Sequence, residues 1–109
     1  MNEKKTTPIE EPILELVFKK PYMFEGTEYK SVDLSKLEDW TGGDIDKAKK
    51  TLKSMDGLDP QDMTLPESNS NYCRIVASMV TGLPFEFFKN LKARDSRALD
   101  VLVIGFFLS

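Results

Sequence analysis

The chain contains no histidine and only one cysteine, Cys73. Without histidine it lacks the side chain whose charge changes most readily near neutral pH. The imidazole of histidine is also the commonest metal ligand in proteins. A single cysteine cannot form an intramolecular disulfide. Because Cys73 shares a helical pattern with Ile75 and Val76, we expect an inert, partly buried thiol. These absences predict a protein that has no catalytic residues, no cofactor and no metal site.

Long apolar runs and a strong charge imbalance are absent as well. Residues 101–108 form an apolar stretch that is far shorter than the roughly 20 residues needed to span a bilayer. The formal net charge of -3 provides no general attraction to anionic lipids or to nucleic-acid backbones. The residues that follow Met1 lack the apolar run of a signal peptide. We therefore expect a cytoplasmic protein that binds neither membranes nor nucleic acid.

The sequence divides into a polar tail and one domain. Residues 1–12 are charged and polar and include Pro8 and Pro12, which predicts a disordered tail. Residues 13–109 are enough for a single small domain. Within that domain, the spacing of the apolar residues changes from the period of a strand to that of a helix at Ser35.

The first part of the domain has the pattern of a β-hairpin. Apolar and polar residues alternate at its start, as in a half-buried strand. Glu25-Gly26 favours a tight turn before a return strand over about residues 27–34. Pro21 cannot donate a hydrogen bond to a neighbouring strand, which indicates a bulge or an edge at this point. The residues expected on the buried face of the first strand are Leu14, Leu16 and Phe18.

Helical patterns follow the hairpin. Ser35 and Glu38 have the spacing of a capping box, which predicts a short helix that is interrupted at Thr41-Gly42-Gly43. The apolar residues after Asp44 recur at helical spacing, and residues 55–66 have the composition of a loop.

Three residues mark the ends of the later helices. Gly82 is placed to close one helix in the left-handed conformation, and Pro84 suits the first turn of the next. Asp95 lies near the start of the last helix, where a negative charge meets the positive end of the helix dipole. Together the patterns predict an α+β fold, with an N-terminal β-hairpin followed by a cluster of four to five short α-helices.

The last helix carries apolar residues on two opposite sides. At about 3.6 residues per turn, only one of these sides can face the core of this domain. The other side is predicted to bind a protein partner, since exposed apolar patches usually mark interfaces. The alternative is that the helix is central and buried all round. The inward residues are expected to be Leu99, Leu102, Val103 and Phe106. Phe85 and Phe88 are expected in the core, and Phe87 at the surface. The predicted partner-binding residues are Val101, Ile104 and Leu108, with Phe87 and Phe107 beside them.

Several motifs occur in a distinctive order along residues 13–108. They are Lys20-Pro21, Phe24-Glu25-Gly26 with Tyr29, the segment from Asp33 to Ile45, Thr81-Gly82-Leu83-Pro84, Leu91, Asp95 and Phe106-Phe107. In this order and spacing the chain resembles the phage tail assembly chaperone family, proteins of the E, 41 or 14 type from long-tailed bacteriophages and prophages.

The resemblance implies a small non-enzymatic protein in the cytoplasm of the bacterial host. Such a protein would bind the tape measure protein and shield its apolar helical segments until subunits of the tail tube displace it. The apolar last helix adds self-association as a further prediction.

A small DNA-binding regulator is the alternative from another class. Two helices joined by a short turn that contains Gly82 also describe a helix-turn-helix. Against this alternative, the candidate second helix near Phe85 is short and aromatic and has almost no side chains suited to contact bases. The nearest basic residues are Lys89, Lys92, Arg94 and Arg97.

Overall fold

The computed structural model describes residues 14–56 and 69–108. These residues form an antiparallel β-hairpin followed by helices, so the predicted α+β class is confirmed. The predicted tail, residues 1–12, and residues 57–66 of the predicted loop lie outside the described residues. In chain order the elements are β1 (Glu15–Phe24), β2 (Thr27–Asp33), a 3₁₀ helix (Ser35–Asp39), α1 (Gly42–Asp56), α2 (Ser70–Thr81), α3 (Phe85–Lys89) and α4 (Ala93–Leu108).

A tight turn at Glu25 and Gly26 connects the two strands. Phe24 pairs directly with Thr27, and both turn residues have positive φ, 49° for Glu25 and 82° for Gly26. Two successive positive φ angles are typical of a type I′ turn, whose twist matches that of the strands it connects. The predicted hairpin turn is therefore confirmed.

A bulge interrupts the pairing in the middle of β1. Val17 pairs with Ser31, but the next pair along is Tyr22 with Tyr29, so residues 18–21 of β1 lie opposite a single residue of β2. Pro21 falls inside this irregular segment, as its missing N–H predicted. Extra residues on one strand bend it and redirect its backbone groups away from the ladder.

The first short helix is capped differently from the prediction. Its first hydrogen bond runs from the Leu37 N–H to the Leu34 carbonyl at 3.0 Å, so Leu34 takes the cap position and Ser35 lies inside the helix. The predicted capping box between Ser35 and Glu38 is therefore wrong. Asp33 accepts from Ser35 instead, at 2.9 Å from the backbone N–H. Hydrogen bonds from the Ser35 hydroxyl and backbone hold the pKa of Asp33 below its ordinary value.

The capping box lies at the start of α1. The Thr41 N–H donates to Asp44 Oδ2 at 2.9 Å, and the Asp44 N–H donates to the Thr41 hydroxyl at 3.4 Å. The reciprocal pair satisfies backbone donors that the first turn leaves free. The glycines that were expected to interrupt the helical pattern thus belong to the first turn of α1.

Both ends of α2 have side-chain or glycine caps. Asn69 Oδ1 accepts from the backbone N–H groups of Asn71 and Tyr72 at 2.8 and 3.2 Å. At the other end Gly82 has a φ of 80°, and its N–H donates to the Ser78 carbonyl at 2.9 Å. Gly82 therefore closes the helix as predicted.

The core lies between one face of the hairpin and the helices. Along β1, Leu14, Leu16 and Phe18 are buried while their neighbours Glu15 and Val17 are exposed, which confirms the predicted alternation. Val32 of β2 and the connecting residues Leu34 and Leu91 are also buried, and the helices contribute most of the other buried side chains. The largest of them are Tyr72, Phe87, Phe88, Leu37, Leu52, Leu99, Val76 and Val103.

Candidate functional site

The inner side of α4 anchors this helix in the core. Leu99 and Val103 are completely buried, while Leu102 and Phe106 pack against the core with part of their surface exposed. The inward direction predicted for all of these residues is confirmed. Asp95, in the first turn, accepts a hydrogen bond from the Lys19 N–H of the bulge at 3.0 Å. The position of α4 is thus fixed by apolar packing along its length and by a polar contact at its start.

The opposite side of α4 carries apolar side chains that the chain does not cover. Val101 is 63% exposed and Leu108 is 62% exposed, so the alternative in which this helix is buried all round is wrong for the described residues. Ile104 also lies towards this side, but it is partly buried and packs against the core, as Leu102 and Phe106 do. A groove of about 410 Å³ on this side is lined by Arg97, Asp100, Val101, Ile104 and Gly105. We call Val101, Ile104, Gly105 and Leu108 the outer face of α4.

Phe107, which was predicted beside the partner-binding residues, contacts the neighbouring helix. Its ring centroid is 5.9 Å from that of Tyr72 on α2 and 5.4 Å from that of Phe106. The side chain is partly buried against the core. The chain itself therefore covers part of the Phe107 ring.

Phe87 does not lie at the surface. Its exposed fraction is 0%, and its carbonyl accepts a hydrogen bond from the Tyr22 hydroxyl at 2.9 Å. Burial of the Tyr22 phenol raises its pKa. The rings whose centroids lie within 4.8 to 6.2 Å of the Phe87 ring are Phe18, Tyr22, Phe24, Tyr29 and Phe88.

The predicted exposure of Phe87 is therefore wrong, and Phe87 does not belong to the outer face. The prediction assumed that only one side of α3 would be covered. In the structure α3 has five residues, and both Phe87 and Phe88 are buried. The hairpin aromatics cover the side that a lone helix would expose. Phe87 instead joins the hairpin to the helices.

The packing of the described residues does not require a glycine at position 105. It is exposed in the middle of the last turns of α4, and a Cβ placed on it would meet no other heavy atom within 4 Å. Glycine in a helix interior is about 0.5–1 kcal/mol less favourable than alanine. Packing among the described residues therefore does not account for a glycine at this position.

A second groove, of about 720 Å³, lies where the bulge of β1 meets the start of α4. We call it the basic groove, because Lys19 and Lys20 come from the bulge and Lys92 and Arg94 from the start of α4. Its other lining residues are Pro21, Tyr22, Met23, Asn90 and Asp95. The sequence pointed only to the cations near α4, because the two lysines of β1 are distant in sequence and meet them only through the fold.

A polar seam joins α2 to α4. The Ser70 hydroxyl donates to Asp100 Oδ2 at 2.8 Å, and Arg74 Nη2 donates to the Ser96 hydroxyl at 3.4 Å. Cys73 is buried beside this seam. Burial, with a contribution from the charge of Asp100, raises the pKa of the Cys73 thiol to about 12. The thiol therefore stays protonated at neutral pH, which disfavours nucleophilic chemistry and metal binding through this sulfur.

The described residues contain no cluster of three or more histidine, cysteine, aspartate or glutamate side chains that could hold a metal ion. In the same ranges, no helix has the length and apolar character required to cross a membrane. The helix-turn-helix alternative requires a free second helix after Gly82. The helix found there, α3, has only five residues and buries both Phe87 and Phe88, and its exposed side chains are limited to Glu86 and Lys89, which is too little to read a DNA groove.

Comparison with known protein families gives a match over most of the chain. Residues 15–108 match the family of phage tail assembly chaperone proteins, E, or 41 or 14. Neither the curated proteins nor the solved structures that were compared gave a match. The matched range runs from the first residue of β1 to the last residue of α4 and thus includes both grooves. The chain belongs to the phage tail assembly chaperone family.

Proposed function

We propose that the protein binds the tape measure protein of its phage and shields apolar helical segments of that protein until the tail tube polymerises. Membership of the family implies protein partners in tail assembly. The main support for binding of an apolar helical segment is the exposure of Val101 and Leu108. Each is close to two thirds exposed, on a helix that is otherwise anchored in the core. The protein would act without catalysis, in the cytoplasm of the bacterial host.

The outer face suits a helical ligand. Val101, Ile104 and Leu108 recur at the three- and four-residue spacing of one helix side, which is the pattern by which amphipathic helices pack side by side. Gly105, between them, allows the two backbones to approach. A long helical tape measure protein, as the family resemblance implies, would offer segments with matching apolar stripes.

The shielding would operate by mass action. A chaperone that covers apolar segments of the tape measure protein lowers the concentration of molecules whose segments are exposed, and so suppresses aggregation. It is displaced when another protein, here the tail tube protein, binds the same segment more tightly. No reaction at a catalytic centre is required for this cycle.

Co-purification tests the proposal directly. The chain is expressed together with the tape measure protein encoded in the same genome, and the complex is isolated through a tag on the tape measure protein. We expect the wild-type chain to co-purify and the double variant Val101→Glu with Leu108→Glu to be lost, since both side chains are exposed and their replacement leaves the core intact. Circular dichroism checks that the variant is folded.

Met79→Glu is the matched control, because Met79 is also an exposed apolar residue but lies on α2. It should co-purify like the wild type. Failure of the wild type to capture the tape measure protein would refute the proposal. Full retention of the double variant would place the binding surface elsewhere on the molecule.

The outer face is equally available for self-association. Two copies packed through this face would cover the same apolar side chains, and the tape measure protein would then compete with the second copy. Sedimentation of the chain alone distinguishes these states. If a dimer forms through the outer face, the Val101→Glu and Leu108→Glu double variant should sediment as a monomer.

A further inference from the structure

The basic groove has a charge that its own surroundings do not balance. Within the described residues, the side chains of Lys19, Lys20, Lys92 and Arg94 make no hydrogen bond or ion pair. Among the described residues that line the groove, the one carboxylate is that of Asp95, which is 6% exposed and accepts a hydrogen bond from the Lys19 backbone N–H. The chain as a whole has a net charge of -3, so this concentration of positive charge does not reflect its composition.

The place of two of these cations is unfavourable for the fold. Lys92 and Arg94 flank Ala93, the first residue of α4. Cations at the start of a helix are repelled by the positive end of the helix dipole, where carboxylates are favoured. The fold therefore gains nothing from these two charges at this position.

The basic groove is continuous with the outer face. From Arg94, the residues Arg97 and Val101 follow along the same side of α4 at helical spacing. A further groove, between β1 and α4, also includes Arg94 and continues to Ala98. At about 1.5 Å per residue, Arg94 and Leu108 are about 21 Å apart along the helix axis. One side of α4 is thus basic at its start and apolar towards its end.

We propose that the basic groove binds the acidic end of the same helical segment whose apolar stripe packs on the outer face. This inference rests on the proposed function and specifies the chemistry of the partner. The segment is an amphipathic helix that carries an apolar stripe and, at one end, a cluster of carboxylates. The carboxylates lie about four helical turns from the opposite end of the stripe, which matches the distance between Arg94 and Leu108 on α4. The charges fix the direction in which the segment lies along α4, and the apolar contacts hold it there.

The composition of the groove favours a peptide over a nucleic acid. Its lining includes Pro21, Tyr22 and Met23, and Met23 is largely exposed. An acidic helix can place both carboxylates and apolar side chains in such a groove, whereas a phosphate backbone would use only the cations. The negative net charge of the protein also opposes a long polyanion.

Charge reversal in the groove provides the test. The double variant Lys92→Glu with Arg94→Glu should remain folded, because negative charges are favoured at the start of a helix. The matched control is Lys47→Glu with Lys50→Glu on α1, where both lysines are exposed and the change in net charge is the same. Binding to the immobilised tape measure protein is measured as association and dissociation rates in about 0.05 M and 0.5 M NaCl.

We expect the groove variant to associate at least about tenfold more slowly than the wild type at low salt, and to lose the salt dependence that the wild type shows. The control should stay within about twofold of the wild type. If the groove variant binds like the wild type while Val101→Glu with Leu108→Glu does not, the inference is wrong and the proposed function stands. If the wild type does not bind at all, both fail.

A duplex DNA probe tests whether the basic groove binds nucleic acid and not an acidic peptide. The inference requires that the wild type bind this probe no better than the groove variant does at either salt concentration. Binding of the duplex by the wild type that the groove variant loses would assign the groove to phosphates and overturn the inference.

Discussion

The junction between the hairpin and α3 and the outer face of α4 are both rich in apolar side chains, but the fold treats them in opposite ways. Phe87 is 0% exposed at the centre of the junction, whereas Val101 is 63% exposed on the outer face. The junction is covered by aromatic rings from β1 and β2. No element among the described residues covers the outer face to the same extent. The apolar residues of one region hold the domain together, and those of the other stay exposed, where we propose that a partner binds.

The largest effect is expected when the Phe87 side chain at the centre of the junction is truncated, which tests whether the junction stabilises the domain. Phe87→Ala should lower the free energy of unfolding by about 3–5 kcal/mol, since it deletes a fully buried ring and leaves a cavity. Urea unfolding followed by circular dichroism measures the change. Phe87→Leu retains most of the volume and should cost less. A loss below about 1 kcal/mol for Phe87→Ala would mean that the junction is not essential to stability.

A smaller effect is expected at the other attachment of the hairpin, the Lys19–Asp95 hydrogen bond. Asp95→Ala leaves the Lys19 N–H without its acceptor in a partly buried place, which should cost about 1–3 kcal/mol. Asp95→Asn keeps a side-chain oxygen and is the control. Amide exchange at Lys19, measured by NMR, should accelerate in the alanine variant more than in the asparagine variant. Equal exchange in all three proteins would argue against this contact in solution.

The smallest expected effect has the opposite sign and concerns the outer face. Gly105→Ala should raise the free energy of unfolding by about 0.5–1 kcal/mol, because alanine is the better helix former and its Cβ meets no neighbour. Thermal unfolding measures this gain. If the outer face receives a closely packed partner, the same variant should bind that partner more weakly. A variant that is less stable than the wild type would show that Gly105 is needed by the fold itself.

Features that depend on neighbouring residues were predictable from the sequence. The turn at Gly26 and the helix end at Gly82 follow from the positive φ that glycine accepts. The bulge follows from the missing N–H of Pro21. The two sides of α4 follow from helical periodicity alone, which placed Val101 and Leu108 on the exposed side.

Features that depend on distant segments were not predictable. Phe87 is buried by residues of the hairpin that precede it by more than fifty positions. The basic groove likewise combines Lys19 and Lys20 with residues of α4. The cap at Asp44 was missed for a local reason, since the glycine pair before it suggested an interruption where the first turn of a helix begins.

The attachment of the hairpin has a consequence for synthesis on the ribosome. The Lys19–Asp95 hydrogen bond joins residues 76 positions apart, and the Tyr22–Phe87 bond joins residues 65 positions apart. An isolated two-stranded hairpin is only marginally stable in water. During synthesis, β1 and β2 leave the ribosome first and therefore cannot pack against the rest of the domain until α3 and α4 have been translated. Through most of its synthesis, this chaperone itself presents the kind of bare apolar surface that we propose it covers on another protein.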